Sequence, residues 1–246
     1  MKARQWKKWP SKDAVALSVE SHNITVNERT SVDSLYSKAH IRESLDPQPS
    51  PPDEDIQWLA GASPEVVSRV RASFPSRQVP AAVLVPLVEH ATGMTVLLTQ
   101  RAETLKDHAG QISFPGGRIE PEDEDAWHAA LRETYEEIGL MPNFVEFAGY
   151  LPDHHVITGF RVTPAVGFVN PDYQLRIAKA EVHDVFEVPL DFILDAANHK
   201  SRQRKLGDLT YEVHDIPYGD RNIWGATAGM LMTLRRKLQT RVEKPR

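Results

Sequence analysis

The chain has 246 residues, enough to bury a sizeable core in one domain with some chain to spare. Its net charge of -5 argues against a general polyanion binder, because nucleic-acid affinity rests on a basic surface, although a small anionic ligand held by a local cation or metal is still allowed. The absence of cysteine excludes a disulfide framework, a thiol nucleophile and Cys-ligated zinc, and says little about compartment. No uninterrupted apolar stretch is long enough to span a bilayer. The basic start, MKARQWKKWPSKDAV, lacks the apolar region of a secretory signal, and acids in the first residues argue against a transit peptide. A cytoplasmic protein without membrane or nucleic-acid partners is the default expectation.

In chain order, AVALSVESHNITV alternates partially and reads as a strand pair. SVDSLYSKAHIRESL has helical spacing, with caps expected at Ser31 or Asp33. DPQPSPPDED, residues 46–55, is a Pro-rich acidic break and reads as an extended linker. SPEVVSRVRASF opens with Ser63 as N-cap and Pro64 at the first helical position. From about Pro80 the chain changes character. AAVLVPLVEH and MTVLLTQR are two strands joined by a tight turn, the pattern of a hairpin. HAGQISFPGG leads through a short strand into Gly116 and Gly117. DAWHAALRETYEEI is the strongest helix in the chain. VEFAGYLP, FRVTPAVGFV and YQLRIAK read as further strands. AEVHDVFEVPLDFIL passes from a turn through a strand into a short helix. LTYEVHDIPYG reads as another hairpin, and GATAGMLMTLRRKLQTRV as a closing helix. No internal repeat is present. The mixed order predicts an α/β fold, an α/β/α sandwich around a mixed β-sheet. The expected division is an N-terminal extension over residues 1–77, a main domain over 78–240 and a short tail over 241–246.

The helix after the glycine pair carries the chemistry. Positions three and four apart share a helix face, so Glu133 lines up with Glu136 and Glu137. Three carboxylates on one face repel one another unless positive charge sits among them. Arg132 alone does not balance them. A hard divalent cation does, and Mg²⁺ takes oxygen ligands, keeps several waters and is shared with substrate phosphates. Glycines at 116 and 117 allow backbone to approach a ligand closely, and the loop has a carbonyl to offer a metal. A solvated acidic helix face is the plain alternative.

The order of residues resembles the Nudix box, G-x5-E-x7-R-E-U-x-E-E-x-G-U with U aliphatic. Gly117, Arg132, Glu133, Glu136, Glu137, Gly139 and Leu140 match it. The segment between Gly117 and Arg132 is one residue longer than the pattern. Asp123 keeps the glycine-side spacing of the first acid and Glu124 the arginine-side spacing, so that position stays open between them. Thr134 stands where the pattern has an aliphatic residue. Upstream, LLTQRAETLKDHAGQISFPGG (Leu97–Gly117) is similar to the extended signature of the coenzyme A pyrophosphatase branch of the Nudix superfamily. TGFRVTPAVG (Thr158–Gly167) and IWGATAGML (Ile223–Leu231) are similar to the same branch. The likeness covers roughly Ala81 to Leu238, and the first 75 or so residues match no known pattern.

The resemblance implies a Nudix-like fold and metal-dependent hydrolysis of a nucleoside diphosphate linked to another group. For coenzyme A or an acyl derivative the products would be 3',5'-ADP and 4'-phosphopantetheine. ADP-ribose or a dinucleotide is the rival substrate, and a non-catalytic Nudix-fold ligand-binding regulator the rival of another class. Mg²⁺ or Mn²⁺ is the implied cofactor, with Gly116, Glu133, Glu136, Glu137 and Glu181 as candidate metal ligands. Glu133 is a ligand or the base that helps deprotonate water. Glu181, in KAEVHDVFEVPL, is a ligand or general base from outside the helix, with Asp184 and Glu187 as weaker alternatives. Arg132 is expected to orient a glutamate. Arg101, His108 and Gln111 fall in the branch signature and are candidates for substrate contact, Arg101 meeting a phosphate or a surface acid. The His pair in Asp153–His155 reads as loop, since adjacent side chains on an extended segment point apart. Trp224, Met230 and Met232 read as packing for the closing helix. The N-terminal segment is expected to be a dimerisation arm, giving a homodimer, or a cap over the pocket.

Overall fold

The computed structural model describes residues 36–51, 64–75, 77–156, 158–206 and 209–242. The strand pair expected in Ala14–Val26, the caps at Ser31, Asp33 and Ser63, and the second half of the Pro-rich break lie outside the described residues.

At the centre is β1 (Val79–His90). Its apolar run is continuous rather than alternating because both of its faces are covered. Ala82, Leu84 and Val88 face one core, whereas Val85 and Leu87 face the other. β1 pairs antiparallel with β2 (Gly93–Arg101), which is the expected hairpin, and parallel with β7 (Phe160–Val169). β3 (Ile112–Ser113) pairs with β2, and β4 (Gly116–Arg118) pairs with β1. β5 (Val145–Tyr150) and the short β6 (His154–Val156) pair antiparallel with β7. β8 (Val182–Pro189) pairs antiparallel with β2 and completes an eight-stranded mixed sheet.

α3 (Ala126–Ile138) covers one face of this sheet, burying Ala126, Ala129, Ala130, Leu131 and Ile138 with Leu84, Leu97 and Val169. The opposite face is covered by α5 (Gly225–Val242), with α1 (Lys38–Ser44) and α4 (Leu190–Leu194) beside it. The sandwich of helices about a mixed sheet is therefore the expected one. α2 (Pro64–Ser73) begins at Pro64 as expected. α1 is described from Lys38. Its N-cap is Ser37, whose hydroxyl accepts from the His40 amide, which supplies one of the partners that a helix start lacks. Beyond α1, Asp46 bridges to Tyr150 and accepts from Lys237 at 2.6 Å, and Ser50 accepts from the Asp153 amide.

Three local expectations are corrected. YQLRIAK is not a strand. Tyr173, Leu175 and Ile177 do alternate inward, but the amides of Arg176 and Ala178 donate to the carbonyls of Ile138 and Glu137 at the end of α3. Backbone groups that have no strand partner are satisfied by a helix terminus instead. LTYEVHDIPYG is not a hairpin by itself. It is one strand, β10 (Leu209–Tyr218), lying between β9 (Lys200–Leu206) and β11 (Arg221–Trp224). β9 was hidden because its sequence, KSRQRKL, carries six polar residues and no alternation. The histidine pair sits on β6 rather than in a loop, and its side chains do diverge. His154 is buried against Gly229 of α5, and His155 faces Gln78 at 2.7 Å.

Candidate active site

The loop before α3 meets the helix through its acids. Gly117 is needed for space, since a Cβ there would come within 2.6 Å of both Glu133 carboxylate oxygens. The Gly116 amide donates to Glu137 Oε2 at 3.2 Å. Glu137 is only 5% exposed. Burial pushes its carboxyl up to about 8, further raised by Glu133 and Glu181 and only partly offset by the Gly116 hydrogen bond and the charge of Arg101. Glu133 is raised as well, first by burial and then by Glu136 and Glu181, against the opposing pull of Arg132. The fold therefore gathers Glu133, Glu136, Glu137 and Glu181, which come from the last turns of α3 and from the turn just before β8, with Arg101 at the end of β2 close enough to act on Glu137.

Arg132 is the organiser of this face. Its Nε and Nη2 donate to the two oxygens of Asp123 at 2.9 and 3.0 Å, a bidentate pair. Its Nη1 donates to Glu133 at 2.9 Å and to Glu136 at 3.3 Å, and Nη2 also reaches the Arg118 carbonyl. The hydrogen bond to Asp123, above all, holds the guanidinium charged. Of the two acids left open by spacing, Asp123 is the one that pairs with Arg132. Asp123 has a fully buried side chain, whereas Glu124 is exposed and lies 3.6 Å from His128. Burial alone would raise Asp123, but bonds from Arg132 and the Glu120 amide outweigh it and hold the carboxyl below its usual range. The extra residue is absorbed between Asp123 and the N-cap Asp125, which accepts from the His128 amide. Thr134 is tolerated where an aliphatic residue is expected because its buried hydroxyl donates to the Ala130 carbonyl at 2.7 Å.

The remaining expected residues are placed as follows. Glu136 is open, with its side chain 58% exposed. The Glu181 side chain is exposed, while its carbonyl accepts from the Ala102 amide. Arg101 Nε is buried with no hydrogen-bond partner. His108, with φ of 58°, and Gln111 bond each other at 2.9 Å on the exposed loop after β2. Asp184 is taken up by Arg221 at 2.7 Å. Glu187 accepts from Tyr173 at 2.5 Å and contacts His90 at 2.6 Å and Thr95, so neither alternative to Glu181 is free to face the helix acids. Met230 is core, but Trp224 lines a cleft of about 630 Å³ together with Gln100, Gln111, Asp184 and Arg221. That volume falls in the range of small-ligand sites, about 300–1,000 Å³. The pairing of Arg221 with Asp184 joins β11 to β8 through tertiary packing, and no local pattern announces it.

The donor set suits a hard divalent cation. It consists of carboxylate oxygens with no thiol or imidazole among them, and Glu137 is buried where a bound cation would favour its charged form. Among the described residues no three acid or histidine side chains close into a preformed cage.

Residues 78–209 match the model of the NUDIX domain, more than half of the chain. A probable nudix hydrolase of Schizosaccharomyces pombe is 35% identical over 217 residues, covering 87% of this chain and 74% of that protein. The Nudix hydrolase NudL of Escherichia coli K12 is 41% identical over 155 residues, covering 63% of this chain and 80% of that protein. A MutT/nudix family protein of known structure from Enterococcus faecalis is similar at 17% identity and a TM-score of 0.45, over 80% of this chain and 75% of that one. The chain belongs to the Nudix hydrolase family, whose members act on nucleoside diphosphate derivatives and generally use divalent ions such as Mg²⁺ or Mn²⁺.

Proposed function

We propose that the chain hydrolyses coenzyme A or an acyl derivative at its diphosphate, yielding 3',5'-ADP and 4'-phosphopantetheine in the presence of Mg²⁺ or Mn²⁺. The observation that carries the chemistry is Glu137, buried beside Glu133 and Glu181 with its carboxyl raised to about 8. The observation that favours coenzyme A is the stretch Leu97–Gly117, which resembles the signature of that branch.

A bound divalent cation would neutralise phosphate charge and lower the pKa of a coordinated water. Glu136 and Glu137 are the ligands proposed for it. Glu133 and Glu181 serve as ligand or base, and Arg132 fixes Glu133 and Glu136 while locked to Asp123. Arg101, whose buried Nε has no hydrogen-bond partner, is proposed to meet a substrate phosphate. Gln111 and the cleft beside it take the part of the substrate beyond the diphosphate. Residues 78–240 form the proposed catalytic domain, and among the described residues no helix is long and apolar enough to cross a membrane.

Incubating purified protein with coenzyme A, acetyl-coenzyme A, ADP-ribose and NADH, each with Mg²⁺ or Mn²⁺, and identifying products by mass spectrometry tests the substrate. Release of 3',5'-ADP from the coenzyme A compounds is expected. Turnover of ADP-ribose or NADH alone would keep the metal site and overturn the coenzyme A assignment.

A further inference from the structure

Residues 170–181 connect β7 to β8 without joining the sheet, and they pass directly over the end of the acidic helix. Ala178 is the joint of this strap. Its amide donates to the carbonyl of Glu137 at 2.8 Å, and its carbonyl accepts from the amides of Glu181 and Val182 at 2.9 Å. One residue therefore ties the backbone of a helix acid to the backbone of the acid that faces it. Two residues earlier, the Arg176 amide donates to the Ile138 carbonyl at 2.7 Å. On the far side of Glu181, the Ala102 amide holds its carbonyl.

A strap without strand partners needs a fixed point on the sheet, and Tyr173 provides one. Its hydroxyl donates to Glu187 Oε1 at 2.5 Å. Glu187 sits in the body of β8, with its side chain 14% exposed, and its other oxygen contacts His90 and the Thr95 hydroxyl on the two strands beside the β1–β2 turn. The latch thus refers the strap to three strands of the central sheet. Neither Tyr173 nor Glu187 approaches the acids in sequence, and Glu187 is fully engaged by these partners.

We propose that Tyr173 and Glu187 are positioning residues that set, through the strap and Ala178, where Glu181 stands against Glu133 and Glu137. This rests on the reading of Glu181 as ligand or base given above. Sub-ångström displacement of a reacting group is enough to slow a reaction severalfold without changing how the rest of the substrate binds.

The test is a double-mutant cycle on the full chain, with Tyr173→Phe and Glu181→Gln made singly and together, read as kcat and KM for the substrate turned over and as Tm. Tyr173→Phe is expected to lower kcat about three- to tenfold with KM nearly unchanged. In the Glu181→Gln background the same change should cost nothing further. Glu187→Gln, which keeps an acceptor in place, should show a smaller loss of the same kind. Equal losses in both backgrounds, or a kcat that does not respond to Tyr173→Phe, would overturn the proposal. If Glu181→Gln alone has no effect, the strap has nothing to act through and the proposal falls, while Glu137→Gln separately judges the helix acids.

Discussion

Glu137 is a carboxyl held where its charged form is costly, and that gives a pH signature. Its folded value of about 8 lies above the ordinary 4.5. The folded metal-free protein therefore keeps a proton that the unfolded chain releases. The stabilisation is fully present below pH 4.5 and is lost as pH rises through 8, at a cost on the order of a few kcal/mol. Metal binding requires the charged form and offsets that loss. Thermal melts with and without Mg²⁺ should show a larger metal-induced rise in Tm at pH 8 than at pH 6.5, and Glu137→Gln should flatten the difference. Asp123 makes a second prediction. Its side chain is fully buried against Arg132, so Asp123→Ala leaves a buried guanidinium without its main partner, and denaturant titration should show a loss of about 3 kcal/mol. Loosening Arg132 should also lower kcat, since the same guanidinium holds Glu133 and Glu136. At this scale Glu133, Glu136, Glu137 and Arg132 were legible because helical spacing alone puts them together. The choice of Asp123 over Glu124 was not legible, because two spacings competed and only the folded turn at Glu120–Asp123 decides between them. The pairing of Tyr173 with Glu187 was equally hidden, since the partners meet only through the fold.

Elements with strong periodicity or continuous apolar runs were readable. α3, α5, β1 and β7 stand where the pattern puts them, because each carries its burial in its own sequence. The strap was misread for a physical reason. Its alternation reports burial of Tyr173, Leu175 and Ile177, and alternation does not say whether the backbone pairs with a strand or with a helix end. Gly139 is where α3 and the strap meet. It is left-handed, with φ of 72°, and a Cβ there would lie 2.8 Å from the Arg176 backbone nitrogen. Gly139→Ala therefore combines backbone strain with a clash and should cost about 2 kcal/mol in denaturant titration. Because the strap carries Glu181, this change should also reduce kcat more than Tm alone would suggest.

Across the whole molecule two cores meet at β1, one under α3 and one under α5, and the candidate active site is built on the first. The second holds a buried histidine. His154 is fully inside, and burial pushes its ring down to about 4 from an ordinary 6.5. The folded state keeps this ring neutral, so stability is intact above pH 6.5 and declines as pH falls toward 4, by up to about 3 kcal/mol. Denaturation midpoints of Glu137→Gln across pH 4–7 should show that decline, because in the unmodified chain Glu137 contributes the opposite slope above pH 4.5 and is read cleanly only between pH 6.5 and 8. The mixed sheet and its covering helices were legible from element order. The docking of residues 36–50 onto β5 and α5 was not, because the Pro-rich sequence carries no pattern that says where it lies.

The most direct measurement is turnover of coenzyme A by the full chain against Mg²⁺ and Mn²⁺ concentration, beside Glu136→Gln and Glu137→Gln. Strict dependence on the metal, with kcat reduced at least about a hundredfold in Glu137→Gln and the protein still folded, is the expected result. Turnover that survives chelation, or that is unchanged in Glu137→Gln, would contradict a metal-assisted hydrolysis centred on the acidic face of α3.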